Sequence, residues 1–276
     1  MLFSRMIGGL GNQLFQAAAF LKYRQRNEKV IISFLGDIHV PKYSYCLNDI
    51  FEKPNWLFFD NSKNLNLLTK LVARSSATLR FGSYFPLIAI NDRNFLRKNI
   101  SYRNKKVLFL DGYFQNWEYK ELNRLFSKLK IKPIILKKDD LKICNENVLI
   151  HIRGGDFLEI EHLNICKIDY YKKSINYFLS KGINNFKVIS ADQSYGQAII
   201  KKLEKNFSGL QISIIQSGSI KNDFNLIRSS NLAILSNSTF SWWASFLSNS
   251  KKEFLVPSNF STKEKRIPLP NETIIN

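Results

Sequence analysis

The chain is poor in cysteine and has no long apolar run, and both features exclude whole classes of protein. Its three cysteines, Cys46, Cys144 and Cys166, are odd in number and far apart, so neither a disulfide framework nor a zinc site is indicated. No apolar stretch approaches the ~20 residues that a helix needs to cross a bilayer. Polar residues also interrupt the apolar N-terminus, at Asn12 and Gln13, which argues against a secretory signal. We therefore expect a cytoplasmic protein that does not span a membrane.

Acidic residues are also scarce. The chain has 22 Asp and Glu against 41 Lys and Arg, which gives a net charge of +19. Such an excess is typical of proteins that bind nucleic acids, anionic membrane surfaces or phosphorylated substrates. The basic residues are scattered in pairs without a long basic run, so we expect no nucleic-acid partner. The Asp-x-Asp pair that would hold Mg²⁺ or Mn²⁺ beneath a nucleotide diphosphate is absent from the sequence, so we expect no metal cofactor.

The chain does contain two series of strand and helix patterns. In its second half, short apolar runs alternate with helical periodicity. The predicted strands there are 148–152, 186–190, 211–215, 231–235 and 252–256, and the predicted helices are 169–181, 194–206, 219–229 and 238–248. The first half is less regular, with predicted strands at 1–6, 29–34 and 107–110 and a predicted helix at 12–25. This order predicts an α/β protein of two domains, joined by the lysine-rich segment 130–147.

The segment from Asp223 to Leu247 joins a helix, a short buried strand, a hydroxyl-rich turn and a second helix. The turn, Ser236 to Thr239, follows the strand where the second helix begins. In parallel α/β sheets ligands bind beyond the carboxyl ends of the strands, and a helix N-terminus attracts anions. The pattern therefore predicts a phosphate site. The alternative is a helix capped by a serine, with its two tryptophans filling the core.

A second strand also runs into a polar loop, over Asn147 to Asp156. An arginine at a strand end, here Arg153, suits bidentate binding of a phosphate, and the two glycines after it allow the backbone to approach a ligand closely. The alternative is an ion pair between Arg153 and Asp156 that closes the loop. Near the N-terminus, Gly8 to Gln16 holds three glycines between a strand and a helix, but their spacing differs from GxGxxG and equally fits a tight turn.

Four segments carry motifs in a fixed order: GGLGNQLFQAAAF from Gly8, LDGYFQNWEYK at 110–120, HIRGGDF at 151–157, and the segment from Asp223 to Leu247. Together they resemble the bacterial α-1,2-fucosyltransferases of glycosyltransferase family 11. The resemblance runs from residue 1 to about residue 256.

The resemblance implies an α/β GT-B fold, with two Rossmann-like lobes facing each other across a cleft. Residues 1–135 would form the N-terminal lobe on the acceptor side, 148–256 the GDP-sugar-binding lobe, and 257–276 a tail that returns to the N-terminal lobe. The implied activity is inverting transfer of L-fucose from GDP-β-L-fucose to O2 of a terminal galactose in a glycan acceptor, such as an O-antigen unit, without a metal. A lipid-linked acceptor and peripheral contact with the anionic inner face of the cytoplasmic membrane are compatible with that activity.

The same resemblance implies roles for three residues that contact the donor. Arg153 would hold the diphosphate, because a fixed guanidinium stabilises the charge that builds on the leaving phosphate. His151 would lie near the ribose or the phosphate. Asp223 would accept hydrogen bonds from N1 and N2 of guanine, which suit the two oxygens of a carboxylate. The alternatives are a core histidine with a satisfied ring and an acid placed at a helix N-terminus by the dipole.

The remaining site residues implied by the resemblance differ in role: Ser238, Thr239 and Phe240 for a phosphate cradle, Asn12 for a donor contact from the first lobe, and Asp156 for organising the loop. Many family members have a second arginine where this chain has Gly154. Lys221 is a candidate to supply the missing charge.

A general base would accept the proton of the acceptor hydroxyl. The candidates in the loop after the arginine motif are Glu159, Glu161 and His162, and His39 is a further one. Glu161 lies ten residues beyond His151, where more distant fucosyltransferases carry a proposed base. The alternatives are that these residues are solvated loop charges and that the departing phosphate accepts the proton.

Three other functions stay open from the sequence. They are a transferase for another GDP-linked deoxysugar, a GDP-sugar-binding module without turnover, and a basic nucleic-acid-binding protein. The last would explain the net charge but leaves the loop motifs without a purpose.

Overall fold

A computed structural model describes residues 1–25, 27–33, 46–59, 87–92, 95, 107–216, 218–248 and 252–276, with only the backbone of 87–89 and 91. The chain forms two compact units, Met1–Lys132 and Pro133–Asn276. Both units are built on parallel sheets, which agrees with the α/β class expected from the sequence.

The first unit contains a five-stranded parallel sheet. Its strands are β1 (Leu2–Arg5), β2 (Val30–Ser33), β3 (Leu57–Phe59), β4 (Leu87–Asn91) and β5 (Val107–Asp111), in the order β3-β2-β1-β5-β4. Its described helices are α1 (Leu10–Tyr23), α2 (Leu47–Ile50) and α3 (Tyr119–Phe126). The predicted strands correspond to β1, β2 and β5, whereas β3 and β4 were not predicted.

The second unit contains a six-stranded sheet, also parallel throughout. Its strands are β6 (Val148–Ile152), β7 (Asn185–Ser190), β8 (Gln211–Ile214), β9 (Leu232–Ile234), β10 (Glu253–Pro257) and β13 (Glu272–Ile275), in the order β13-β10-β9-β6-β7-β8. Between the last two, β11 (Asn259–Ser261) and β12 (Glu264–Lys265) form an antiparallel hairpin.

The described helices of the second unit are α4 (Lys138–Glu146), α5 (Asp156–Glu159), a 3₁₀ turn (Glu161–Leu163), α6 (Ile168–Leu179), α7 (Gln193–Glu204), α8 (Ile220–Ser229) and α9 (Thr239–Phe246). The five strands and four helices predicted for this half are all present, with bounds within about two residues of the prediction, which is the usual uncertainty of helix ends. None of the described helices has the length and apolar character that crossing a bilayer requires.

Strand order places a switch point in the second sheet. The chain builds β6, β7 and β8 toward one edge, then returns to add β9 and β10 on the other side of β6. All five residues of β6 are buried, and Ile150 packs in a core with Ile175 and Phe178. Ligands of open α/β sheets bind beyond the carboxyl ends of the two strands at such a point, here β6 and β9.

The tail does not follow the prediction that it returns to the first lobe. β13 pairs in parallel with β10, from Phe254 opposite Glu272 to Pro257 opposite Ile275. The side chains of Arg266 and Glu272 form a fully buried ion pair within the same unit. Because an uncovered β10 would be an edge strand with unpaired backbone groups, the tail completes the second sheet instead.

The predicted linker is also shorter than expected. The boundary between the units falls at Lys132 and Pro133, but the part from Lys138 to Glu146 is helix α4. Its Cys144 is buried, and the thiol donates to the carbonyl of Leu226 at 3.5 Å. The sequence predicts a linker here because the segment is rich in lysine and only one residue of the helix, Cys144, is buried.

Candidate functional site

The carboxyl ends of β6 and β9 bring two of the sequence motifs together. The strands are neighbours, with Ile150 opposite Ile234, so the residues after them leave the same edge of the sheet. We call the group His151, Arg153, Asp223 and the turn 236–240 the switch-point site.

His151 is the buried member of this site. Only 6% of its surface is exposed, and its Nδ1 lies 2.9 Å from Oγ of Ser236. Its ring packs against that of Phe240, with centroids 5.6 Å apart. Burial, reinforced by the Arg153 cation, lowers the pKa of His151 to about 3, so the imidazole is neutral at physiological pH. The ring is therefore satisfied at Nδ1, as the core-histidine alternative requires.

Arg153 makes the ion pair that the sequence left as an alternative. A guanidinium nitrogen, Nη2, donates to Oδ1 of Asp156 at 2.5 Å, and the guanidinium carbon lies 5.0 Å from the ring centre of Phe157. The Asp156 side chain is 53% exposed, whereas that of Arg153 is 25% exposed. Since a guanidinium carries several N–H donors, this pair orients Arg153 and remains compatible with phosphate binding.

The turn between β9 and α9 is held by its own hydroxyls. Ser238 caps α9, its Oγ accepting from the N–H of Phe240 at 3.2 Å, and Oγ of Ser236 accepts from the N–H of Ser238 at 3.3 Å. The Ser241 hydroxyl donates to the carbonyls of Ser236 and Ser238, both at 3.1 Å. Thr239 and Phe240 are half-buried. The capped-helix alternative is thus also present, and the turn is fixed before any ligand arrives.

Asp223 lies in the first turn of α8 and is 7% exposed. The next residue, Phe224, meets Phe240 edge-on with ring centroids 5.3 Å apart. An aromatic row therefore runs from Phe224 through Phe240 to His151, and Asp223 lies beside its start. Lys221 is exposed on the same turn of the helix.

Asp192, which is not among the site residues predicted from the sequence, organises the glycine pair after Arg153. Its carboxylate accepts from the N–H of Gly155 at 3.3 Å and caps α7 by accepting from the N–H of Tyr195 at 3.0 Å. That bond to Tyr195, with others from Ser194 and Gly155, lowers the pKa of Asp192. A Cβ on Gly154 would lie 2.8 Å from Cβ of Asp192, so a second arginine there would require Asp192 to move. The sequence signal that could have identified Asp192 is its position between a buried strand and a helix, where an Asp is typical of a helix N-cap.

The candidate bases lie on exposed backbone next to the site. Glu159 ends α5, and Glu161 and His162 lie in the 3₁₀ turn, all with exposed side chains. Asn237 stabilises the 3₁₀ turn, because its Nδ2 donates to the carbonyl of Leu163 at 2.9 Å and to that of Phe260 at 2.8 Å. The three side chains are thus exposed, as the solvated-loop alternative expects, and the role of Glu161 as a base stays a prediction. His39 lies outside the described residues.

Asn12 belongs to the first unit. Its Oδ1 accepts from Nε2 of Gln115 at 2.9 Å, which joins the turn after β1 to the turn after β5. Gly8 has φ +78°, where only glycine is unstrained, and a Cβ there would lie 2.6 Å from Nδ2 of Asn12. The role of Asn12 toward the donor stays a prediction.

Within the described residues there is no group of three or more His, Cys, Asp or Glu side chains that could hold a metal ion.

Comparison with known proteins matches most of the chain to one family. The model of the family described as "Glycosyl transferase family 11" covers residues 88–272. The "Alpha-1,2-colitosyltransferase" of Escherichia coli is 26% identical over 266 residues, with 89% of this chain and 87% of that protein covered. The "O-antigen biosynthesis glycosyltransferase WbnK" of Escherichia coli is 24% identical over 312 residues, with 100% of both proteins covered.

Among solved structures, that of the E. coli ADP-heptose lps heptosyltransferase II is similar, with a TM-score of 0.51 and 8% identity, covering 99% of this chain and 89% of that one. At this identity the likeness concerns the fold alone. It confirms the GT-B class that the sequence resemblance implied.

Proposed function

The chain belongs to glycosyl transferase family 11, and on that premise we propose that it is an inverting α-1,2-fucosyltransferase. It would move L-fucose from GDP-β-L-fucose to O2 of a terminal galactose in a glycan acceptor such as an O-antigen unit. The observation that carries the proposal is the switch-point site, where a cation, a neutral histidine, a buried carboxylate and a hydroxyl-rich helix start come from separate segments. A peripheral membrane contact and a lipid-linked acceptor belong to the proposal, since the net charge of +19 suits an anionic surface.

The leaving group would be stabilised by the chain's own charges. As the bond from fucose to GDP breaks, negative charge builds on the β-phosphate. Arg153 and the start of α9 at Ser238 and Thr239 would oppose that charge, and no metal would be needed. Asp156 would hold the guanidinium in place, since its exposed carboxylate binds one nitrogen of Arg153.

Asp223 would select the nucleotide. A buried carboxylate accepts hydrogen bonds but cannot donate them, which matches the N1 and N2 donors of guanine and mismatches the acceptor N1 of adenine. The adjacent rings of Phe224 and Phe240 offer an apolar surface for a purine. This arrangement favours GDP over ADP and UDP.

The name of one relative favours a second donor. Colitose, the sugar in the name of the 26% identical E. coli protein, is L-fucose without its 3-hydroxyl group. A site that hydrogen-bonds that hydroxyl rejects the deoxy sugar by about 10⁴–10⁵-fold, whereas an apolar pocket discriminates by only about 10²-fold. The ratio of kcat/KM for GDP-fucose and GDP-colitose would therefore identify the native donor.

Glu161 remains the proposed base. Its exposed side chain is available to an acceptor hydroxyl, and a positioned base contributes typically about 10²–10⁴-fold. If the departing phosphate accepts the proton instead, Glu161→Gln will leave kcat nearly unchanged.

The decisive experiment is a donor panel. Thermal unfolding would be followed with GDP, UDP and ADP, and transfer from GDP-fucose to lactose would then be measured, with the linkage read by NMR. We expect GDP to protect more strongly than UDP or ADP, and we expect an α-1,2 product. Protection without turnover would indicate a binding module, and steep salt-dependent DNA binding without nucleotide preference would indicate a nucleic-acid-binding protein.

A further inference from the structure

Ser236 connects two parts of the switch-point site, the turn 236–240 and His151. Its side chain is fully buried, and its Oγ lies 2.9 Å from Nδ1 of His151. The same oxygen accepts from the N–H of Ser238 at 3.3 Å. These are the two hydrogen-bond partners of that hydroxyl within the described part of the chain, and only one of them is able to accept a proton.

The number of protons decides the direction of the bond to His151. The N–H of Ser238 can only donate, so the hydroxyl proton of Ser236 requires Nδ1 as its acceptor. If Nδ1 carried a proton instead, the hydroxyl would accept twice and its own proton would lack an acceptor at a fully buried position. A doubly protonated ring has the same defect and adds a buried charge near Arg153.

We propose that Ser236 is a positioning residue that fixes His151 as the tautomer protonated at Nε2, so that the ring donates to an acceptor oxygen of the bound donor's diphosphate. Phosphate oxygens accept and do not donate, so the other tautomer would present a lone pair to a lone pair. That the acceptor is a diphosphate oxygen of the donor rests on the proposed function, whereas the assignment of the tautomer does not. Phe240 packs on the ring and limits its rotation.

The tautomer can be measured without any ligand. The chain has three histidines, so protein labelled with ¹⁵N in histidine gives few signals, and those of His151 are the ones missing in His151→Gln. Long-range ¹H–¹⁵N correlations show which ring nitrogen carries the proton. We expect the Nε2-protonated form of His151 to exceed the other by about tenfold or more at pH 7 in the wild type. A dominant Nδ1-protonated form or an imidazolium would overturn the proposal.

Ser241 supplies a matched control. Its hydroxyl is equally buried, but its hydrogen-bond partners among the described residues are the carbonyls of Ser236 and Ser238, and not His151. Ser236→Ala should redistribute the His151 tautomers, while Ser241→Ala should leave them unchanged. If Ser236→Ala does not fold, the wild-type spectrum alone still decides the tautomer.

The contribution to the ligand is measured by calorimetry with GDP. We expect Ser236→Ala to weaken GDP binding by roughly tenfold and Ser241→Ala by clearly less. Equal losses in the two variants would mean that Ser236 only supports the turn, which would overturn the positioning role. If GDP does not bind the wild type at all, the proposed function fails, but the tautomer result is unaffected.

Discussion

Both sheets are parallel throughout, and their carboxyl edges differ in what their polar groups bind. In the first unit, the turn after β1 is held by side-chain amides: Gln16 pairs with both backbone groups of Ile7 at 3.0 Å, and Gln13 bonds the carbonyl of Gly8 and the N–H of Cys46.

The turn after β5 in the same unit is held by a carboxylate. Asp92 accepts from the N–H groups of Tyr113 and Phe114 at 3.0 and 2.6 Å. The cation of this edge, Arg5, is paired with Asp111 at 2.6 Å, where the two side chains are 20% and 17% exposed. At this edge the side chains of Gln13, Gln16 and Asp92 bind backbone groups, whereas Arg5 and Asp111 bind each other.

The carboxyl edge of the second sheet also has an ion pair between an arginine and an aspartate, Arg153 and Asp156, but this pair is more exposed to solvent. Asp156 is 53% exposed, so its attraction for Arg153 is screened by water and a phosphate can compete for the guanidinium. The turn between β9 and α9 is fixed by its own hydroxyls, and His151 is buried and neutral. The two edges therefore differ in how the arginine at the strand end is paired and exposed, although both belong to parallel sheets.

The largest expected effect comes from replacing Arg153 by alanine, with the same replacement of Arg5 as its control. Arg153→Ala should lower kcat/KM for transfer by about 10²–10³-fold, because the preorganised guanidinium that would stabilise the negative charge on the leaving group is lost. Arg5→Ala, the matched change at the other edge, should lower stability and leave GDP affinity unchanged. Asp156→Asn tests the loop-closing alternative. If it reduces activity as much as Arg153→Ala does, Arg153 acts by closing the loop.

Asp223→Asn should weaken GDP binding by roughly ten- to a hundredfold with the fold intact. An amide has the same shape but only one acceptor oxygen, so it cannot serve both guanine donors. Calorimetry with GDP and with UDP provides the internal control, because UDP binding should not change. Unaltered GDP affinity would leave Asp223 as an acid placed by the helix dipole.

The buried His151 should make stability depend on pH. Its pKa is about 3 in the folded chain and about 6.5 when unfolded, so between these values the unfolded state binds more protons. Stability is therefore complete above about pH 6.5 and falls toward pH 3 by up to about 1.4 kcal/mol per pH unit. Urea unfolding at pH 7 and pH 5 should show a smaller difference for His151→Gln than for the wild type. Equal differences would mean that His151 is hydrated.

Asp192→Ala should reduce stability by about 1 kcal/mol through loss of the α7 cap and lower transferase activity through a looser Gly154–Gly155 turn. Asp192→Asn keeps an acceptor oxygen and should fall between the wild type and Asp192→Ala in both measurements. Reduced stability with full activity in both variants would show that the turn does not depend on this carboxylate.

The smallest expected effect is that of chelation. If Arg153 and the start of α9 neutralise the diphosphate, transfer from GDP-fucose to lactose should proceed equally with and without excess EDTA. Activity lost on chelation and restored by a divalent ion would show that the charges at the second edge are insufficient without a metal.

Local patterns predicted the second unit better than the first. Its strands alternate with helices of ordinary length, and each predicted element is present. The unpredicted hairpin strand β12 has two residues, which is too short for a periodic signal. Arg153, His151 and Asp223 could be selected because their residue types stand out at strand ends and helix starts. The contacts of Asp192 with Gly155 and of Ser236 with His151 could not be predicted, since these partners lie 37 and 85 residues away.

The α/β class, the position of most strands, and the residues that bring charge to the carboxyl edge of the second sheet could be read from the amino-acid sequence. These follow from periodicity and residue type, which are local properties of the chain. The pairing of β13 with β10, the position of Asp192 beside Gly154, and the contact of Ser236 with His151 became known from the fold. Each of these depends on sheet order and register, which bring together segments far apart in the chain, and no local pattern encodes such a contact.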